Sequence, residues 1–452
     1  MRKHLTATLL ATTMFAMPAA ARAQAMSAEE AAALCGELAT LRAKVDALEA
    51  RLGSAPLVPA PAPASSSDPL PQEAGKPGTS IAWKGAPQIK TADGWSFKPR
   101  GRMQLDAASI DAPDGTEIRG GLATEFRRVY LGVDGEIPGG FSYRVEADFA
   151  NEEVELTDVY FTYGTGALSV TVGQIKPFWS LDEMTSDLFT SAMERAAFTQ
   201  AFGFGRRVGL SAQYKGDALL LEGGVFGANA RDLFDDDNRS VSVDARAVWM
   251  PKAKNVQWHI GASFHLRDLG DPAATLRYRA RPFAHSTDVR LVDTGDIDAK
   301  GERGLGLEAA VMAGPFHAAG EAYWQTVRRR AGANPTWFGG YAEVGMVLTP
   351  GDRRGYKEGA FDRLKPSRPI TKGGIGAIEM NARYDHLDLN DQDVVGGRQQ
   401  TALLSLVWAP IDFVRLTANY GKLWISDSPL AAVTGERDYR ADTFGLRTQI
   451  DF

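Results

Sequence analysis

A single cysteine, Cys35, stands in a chain of 452 residues. That excludes an internal disulfide framework and any zinc site built on cysteine. Beyond residue 23 no run of 18 apolar residues occurs, so a helix crossing a bilayer is excluded. Basic residues are in the minority, 50 Lys and Arg against 56 Asp and Glu, and the formal charge of −6 becomes about −9 without Arg2, Lys3 and Arg22. Such a balance argues against a nucleic-acid partner. With 44% hydrophobic residues the chain is too apolar for global disorder. None of this excludes a membrane barrel, whose strands need alternation and not continuous apolarity.

Residues 1–23 read as a secretory signal. Arg2, Lys3 and His4 form a basic start, residues 5–16 an apolar core, and Ala21-Arg22-Ala23 a cleavage site. A buried N-terminal helix is the competing reading. Residues 24–52 are expected to form a helical coiled-coil stalk, because Leu34, Leu38, Leu41, Val45, Leu48 and Leu52 keep the a/d spacing. A lone helix lying against the protein is the alternative. Residues 53–94 read as a linker, with Pro56, Pro59, Pro61, Pro63, Pro69, Pro71 and Pro77 among Ala, Ser and Gly.

From residue 95 to 452 the period is two. Phe141, Tyr143, Val145 and Ala147 alternate with Ser142, Arg144, Glu146 and Asp148, and Phe444, Leu446, Thr448 and Ile450 with Gly445, Arg447 and Gln449. Sixteen such segments can be drawn, from 98–108 through 303–313 and 399–409 to 441–452. Their length and their polar faces, which mix Arg, Glu and Asp, suit a wet lumen better than a soluble sandwich. The fold class expected is all-β, a 16-stranded antiparallel transmembrane β-barrel. Short turns alternate with long loops, the outer-membrane pattern, with 350–374 a long exception on the short-turn side. Trp249, Trp258, Trp324, Trp337, Trp408 and Trp424 near strand ends suggest interface girdles.

A barrel this wide leaves a channel unless loops fill it. Loop 177–205 carries a capping-box pair, Ser180 and Glu183, then a helical face of Leu181, Met184, Leu188, Ala192 and Met193. It reads as a constriction helix that also bears Glu194 and Arg195, or else as a helix on the rim. Loop 269–302 places Arg277, Arg279 and Arg281 at a spacing of two, which in an extended segment puts three forks on one side to attract anions. A solvated face is the alternative. Inward-facing Arg128, Arg144, Arg383, Arg415 and Arg447 extend this candidate anion path, among carboxylates of the same register. The acidic run at 232–237 reads as a solvated external loop, with divalent-ion bridging to lipopolysaccharide the alternative.

The chain resembles the phosphate-selective porin O and P family over about residues 95–452. The stretches that carry the resemblance are Phe126-Arg127-Arg128-Val129-Tyr130-Leu131-Gly132, Leu156-Thr157-Asp158-Val159-Tyr160, and 172–178 (VGQIKPF). Met193-Glu194-Arg195, 276–282, 292–297 and the terminal RTQIDF follow in order. The resemblance implies a homotrimer of sixteen-stranded channels in the outer membrane, with inward loops and arginine-lined paths. Phosphate-specific members use lysines at the constriction. Here loop 177–205 has none and 269–302 only Lys300, so a less selective pore for anionic or polar solutes fits equally.

The function expected is passive diffusion of small hydrophilic solutes, leaning toward anions. The alternatives are a barrel tethering the outer membrane to a periplasmic partner through the stalk, and an embedded hydrolase. His259, His265, His317 and His386 have no nucleophile motif beside them, so no catalytic residue is assigned. No cofactor and no metal is expected.

Overall fold

The computed structural model describes residues 78–150, 153–203, 205–233 and 239–452, with residue 43. The signal, the stalk and most of the linker lie outside the described residues. From Ser96 the chain forms a closed antiparallel barrel of sixteen strands: β1 Ser96–Asp111, β2 Leu122–Ile137, β3 Phe141–Asp148, β4 Glu155–Thr165, β5 Leu168–Ile175, β6 Arg207–Lys215, β7 Leu219–Phe226, β8 Val241–Trp249, β9 Val256–Asp268, β10 Ile297–Ala313, β11 Phe316–Arg329, β12 Thr336–Val347, β13 Ala377–Asp391, β14 Val394–Ile411, β15 Val414–Ser426 and β16 Tyr439–Asp451. Each strand pairs with the next, and β16 returns to β1 with Ile450 opposite Met103. All sixteen expected segments are present in order.

The side-chain period dictates the two faces. On β9, Trp258, Ile260, Phe264 and Leu266 face outward and are exposed, while His259, Ser263 and His265 face inward and are buried. The same register corrects one expected girdle residue. Trp337 has the inward parity of Tyr341 and Glu343, is buried, and packs on Tyr278 with ring centroids 5.0 Å apart. Trp249, Trp258, Trp324 and Trp408 do face outward and are exposed.

Strand lengths divide the wall. On one side β3, β5 and β7 have eight residues each, whereas β10 and β14 have 17 and 18 and run well past their expected starts at 303 and 399. An eight-residue strand is about 26 Å long and, once tilted, roughly 20 Å tall, short of the apolar band of about 25 Å that a lipid-facing wall presents.

The expected linker also needs correction at its end. Ser80–Lys84 and Ala86–Lys90 form a hairpin, and its second strand pairs with β1 through Ile89 opposite Phe97. The cause is positional. β16 ends at Asp451 opposite Arg102, with Phe452 bonded to Gly101, leaving the edge of β1 below it without a partner until this hairpin covers it.

Trp337 tests the inward packing. Trp337→Ala removes a buried indole at a cost of about 3–5 kcal/mol, while exposed Trp249→Ala costs far less. The expected result is a clear drop, for Trp337→Ala alone, in the temperature at which the barrel loses its heat-modifiable electrophoretic migration.

Candidate functional site

The lumen is built by two connections that enter from opposite ends. Loop 176–206, between β5 and β6, enters from the long-loop end with two short helices, α1 Leu181–Met184 and α2 Ala197–Phe202. Turn 348–376, between β12 and β13, rises from the short-turn end as a small hairpin, Gly355–Lys357 with Ala360–Asp362. They meet inside, where the Phe361 N–H donates to Thr185 Oγ1 at 3.3 Å and Arg354 donates to the Phe189 carbonyl.

Loop 176–206 is half core. Trp179, Leu181, Phe198 and Phe202 are buried against Tyr323, Tyr341 and Trp337 of the wall. Trp179 meets Tyr323 edge-on at 5.1 Å, and Phe202 meets Tyr278 at 5.8 Å. Wall carboxylates hold the helix starts: Glu321 accepts the N–H groups of Leu181 and Asp182 at 2.9 and 2.7 Å, and Asp385 that of Ala197 at 3.0 Å. The lumen behind the loop is therefore dry, a departure from the wet interior that the strand pattern suggests.

The single helix expected here is interrupted between residues 185 and 196. In that segment wall arginines take carbonyls that a helix would use internally. Arg415 donates to the carbonyls of Leu188, at 2.7 Å, and Thr190. Arg447 donates to that of Met193. Ser180 does cap α1, accepting from the Glu183 N–H at 3.2 Å. Glu183 does not return the bond of a capping box, because its carboxylate pairs with Lys176 at 2.7 Å and Arg195 at 3.2 Å.

Loop carboxylates complete the clamp. Asp187 sits between Arg102 and Arg128, the latter at 2.7 Å. Burial works to raise its pKa, but the two arginines outweigh burial and hold it well below the carboxylate range. Glu194 is held low in the same way, against burial, by Arg127 and Arg447 at 3.2 and 2.8 Å.

The open space lies on the opposite wall. A cavity of about 690 Å³ runs beside β1 to β7, bounded by the loop through Lys176, Met184 and Asp187. Among the described residues its lining has seven basic side chains, Lys98, Arg100, Arg102, Arg144, Lys176, Arg206 and Arg363, and five acidic ones, Asp134, Asp158, Asp187, Glu222 and Asp451. Arg206 also lines a cavity of about 420 Å³ at the long-loop end, and Arg363 one of about 390 Å³ at the short-turn end. Four of these cations pair with lining carboxylates of the wall: Arg206 with Asp158 at 2.6 Å, Arg144 with Asp134 at 2.7 Å, Arg100 with Asp134 at 3.0 Å, and Arg363 with Asp451. Burial pushes Lys176 down to about 8, with nearby Arg195 adding to the shift and Glu183 opposing it.

The expected arginines separate into three groups. Arg144 lines the cavity. Arg128, Arg383, Arg415 and Arg447 are buried or half-buried in contacts with the loop, Arg383 pairing with Glu343 at 2.8 Å and Asp182 at 3.5 Å. Arg277, Arg279 and Arg281 lie in the outer loop, where Arg277 pairs with Asp293 at 2.7 Å and Arg281 with Asp288 at 3.2 Å, and only Arg277 lines the long-loop mouth. Lys98, Lys176, Arg206 and Arg363 were not singled out. Lys176 and Arg206 flank the loop at strand ends, a position that alternation alone does not weight.

The family model for "Phosphate-selective porin O and P" matches residues 97–452. The chain belongs to this porin family. It is 43% identical to an uncharacterized protein of Caulobacter vibrioides over 98% of this chain and 95% of the relative, and 29% identical to Porin O of Pseudomonas aeruginosa over 76% and 86%. In fold it is similar to OmpT of Vibrio cholerae in its trimer form, an outer membrane protein (TM-score 0.52, 9% identity, 79% of this chain and 99% of that one). It is also similar to an anion-selective porin from Comamonas acidovorans (0.50, 10%, 79% and 100%). Family and fold place this porin in the outer membrane.

Asp187 keeps its part of the porin's loop clamped in acid. A carboxylate whose folded pKa is depressed contributes stability above its unfolded pKa, about 4, and loses it only as pH falls through the folded value. The Asp187 clamp is therefore expected to hold from pH 7 to 4. Asp187→Asn leaves two buried arginines facing a neutral group, a loss of about 3–5 kcal/mol, and is expected to give a larger, noisier conductance at every pH in that range.

Proposed function

We propose that this porin is a passive channel for small hydrophilic solutes with a few-fold preference for anions. The observation that carries the reading is the basic excess along the 690 Å³ cavity. Both mouths share the bias: Arg206, Arg207, Arg231, Arg267 and Arg277 against Glu155, Asp232 and Glu302, and Lys252, Arg353, Arg354, Arg363 and Lys365 against Asp352 and Asp362. A low-dielectric channel lined by one excess sign concentrates the opposite ion. Carboxylate partners stand beside Arg206, Arg144 and Lys176, so the field is that of partial neutralisation. This favours a graded anion preference over strict phosphate selectivity.

His259, His265 and His317 are absent from the lining of the 690 Å³ cavity, which supports a channel over a hydrolase. Each is buried against wall carboxylates, as in His265 Nδ1 to Asp244 at 2.6 Å. Orientation follows from the connections, with short turns in the periplasm and long loops outside. The low wall of β3, β5 and β7 supports a homotrimer in which neighbouring barrels cover what lipid would not. Residues 1–23 then act as the export signal and 24–52 as a periplasmic stalk.

The reading is tested by reversal potentials of the reconstituted protein under a KCl gradient, with phosphate titrated in. Anion preference is expected, and cation preference would reject it. Lys176 gives the pH dependence. Its charge is full below about 8 and is lost as pH rises through that value, so the preference is expected to weaken between pH 7 and 9. Lys176→Gln is expected to show the weakened preference already at pH 7 and no further change.

A further inference from the structure

The hairpin at residues 80–90 has two unlike faces. Register places Ile81 opposite Ile89, Trp83 opposite Pro87 and Ile89 opposite Phe97. These residues share the parity of Met103 and Leu105, which are exposed on the outward face of β1. Ile81 and Trp83 are 69% and 75% exposed, among the most open large apolar side chains of the described residues. On the other face Ala86 is buried and Lys90 pairs with Glu136 at 3.1 Å. A hairpin standing in water has no use for this alternation. A hairpin that prolongs a lipid-facing wall requires it.

Position adds a second argument. The hairpin covers the edge of β1 where β16 has ended, and a Cβ at its turn residue Gly85 would stand 2.8 Å from the Phe413 ring and 3.1 Å from the Phe452 backbone. Its outward face therefore continues the rim of the barrel at the short-turn end. Indole and isoleucine at such a rim partition into the headgroup boundary, while Lys84 and Lys90 on the opposite face stay turned away from lipid, Lys90 toward Glu136.

We propose that this hairpin is a membrane-interface anchor that seats Ile81, Trp83 and Ile89 among the phospholipids of the periplasmic leaflet. The inference rests on the orientation given above. It adds a role for the point where the linker joins the barrel: load from the linker reaches lipid-held side chains before it reaches the β1–β16 seam.

The test places one cysteine at a time in a Cys35→Ser background of the full chain: Ile81→Cys, Trp83→Cys and Ile89→Cys, with Lys84→Cys and Gln88→Cys on the other face. Leu105→Cys serves as the reference for lipid contact. Each is spin-labelled and reconstituted in phosphatidylcholine vesicles containing phosphatidylglycerol, and folding is checked by heat-modifiable migration. Labels at 81, 83 and 89 are expected to collide with oxygen more than with a nickel chelate, as at 105, and those at 84 and 88 the reverse. Nickel access at 81 and 83 overturns the proposal in favour of a water-exposed hairpin. Shielding from both reagents overturns it in favour of contact with a second copy. A second measurement needs no labelling: brominated lipids are expected to quench the native tryptophan fluorescence more than that of Trp83→Phe, and equal quenching counts against the anchor. Failure of the orientation is separable, because it would invert lipid-leaflet labelling at Leu105 and the hairpin together.

Discussion

Charge cannot be left alone where protein fills a pore. Taking a carboxylate or guanidinium out of water costs several kcal/mol unless a partner and hydrogen bonds replace the solvent. Loop 176–206 obeys this constraint along its length. Asp187 lies between Arg102 and Arg128, Glu194 between Arg127 and Arg447, and Asp182 against Arg383. Carbonyls that no helix satisfies receive bonds from Arg415, Arg447 and Arg354. Such pairs add little net stability over an apolar filling, but they fix one position, because a slipped loop would strand several ions at once. The apolar side chains of the loop supply the burial energy and the ions supply the register.

This division explains why the lumen has two halves. Against β11 to β13 the aromatic side chains of the loop find Tyr323, Tyr341 and Trp337, and water is displaced. Against β1 to β7 the loop reaches Arg102 and Arg128 through Asp187 but leaves Arg100, Asp134, Arg144 and Asp158 uncovered, and the cavity stays open. The shorter strands lie on this open side. The cavity and the low wall therefore share one sector.

Much of the fold was legible because alternation is a local signal. Each strand carries its own period of two, and β9 or β16 can be read without knowing its neighbours. Turn chemistry at 138–140 and 314–315 and the long loops between other strands then give the count. What escaped was non-local. Trp337 looks like a girdle residue until its parity with Tyr341 is tied to Tyr278 of the outer loop, on which it packs. Residues 80–90 follow a proline-rich stretch and continue its reading, yet the missing edge of β1 recruits them into the sheet. Turn 348–376 stood out as an exception in length, but nothing local says that Arg354 finds Glu379 and that Tyr356 Oη lies 2.7 Å from His259 Nδ1.

The arginines show the same limit from the side of function. Inward parity is shared by Arg144, which faces open space, and by Arg383 and Arg447, which are spent holding the loop. Sequence gives parity but not which stretch of wall the loop will occupy. That depends on where Trp179 and Phe198 find aromatic partners, a contact made across more than a hundred residues. The sign of the field in the channel is thus set indirectly. The apolar face of the loop sets where it lies, and its carboxylates Asp182, Asp187 and Glu194 then neutralise the arginines they meet, Arg383, Arg102, Arg128, Arg127 and Arg447. The ions of the open half, Arg206 with Asp158 and Arg144 with Asp134, are left beside the water. The selectivity proposed for this barrel follows from packing first and from charge second.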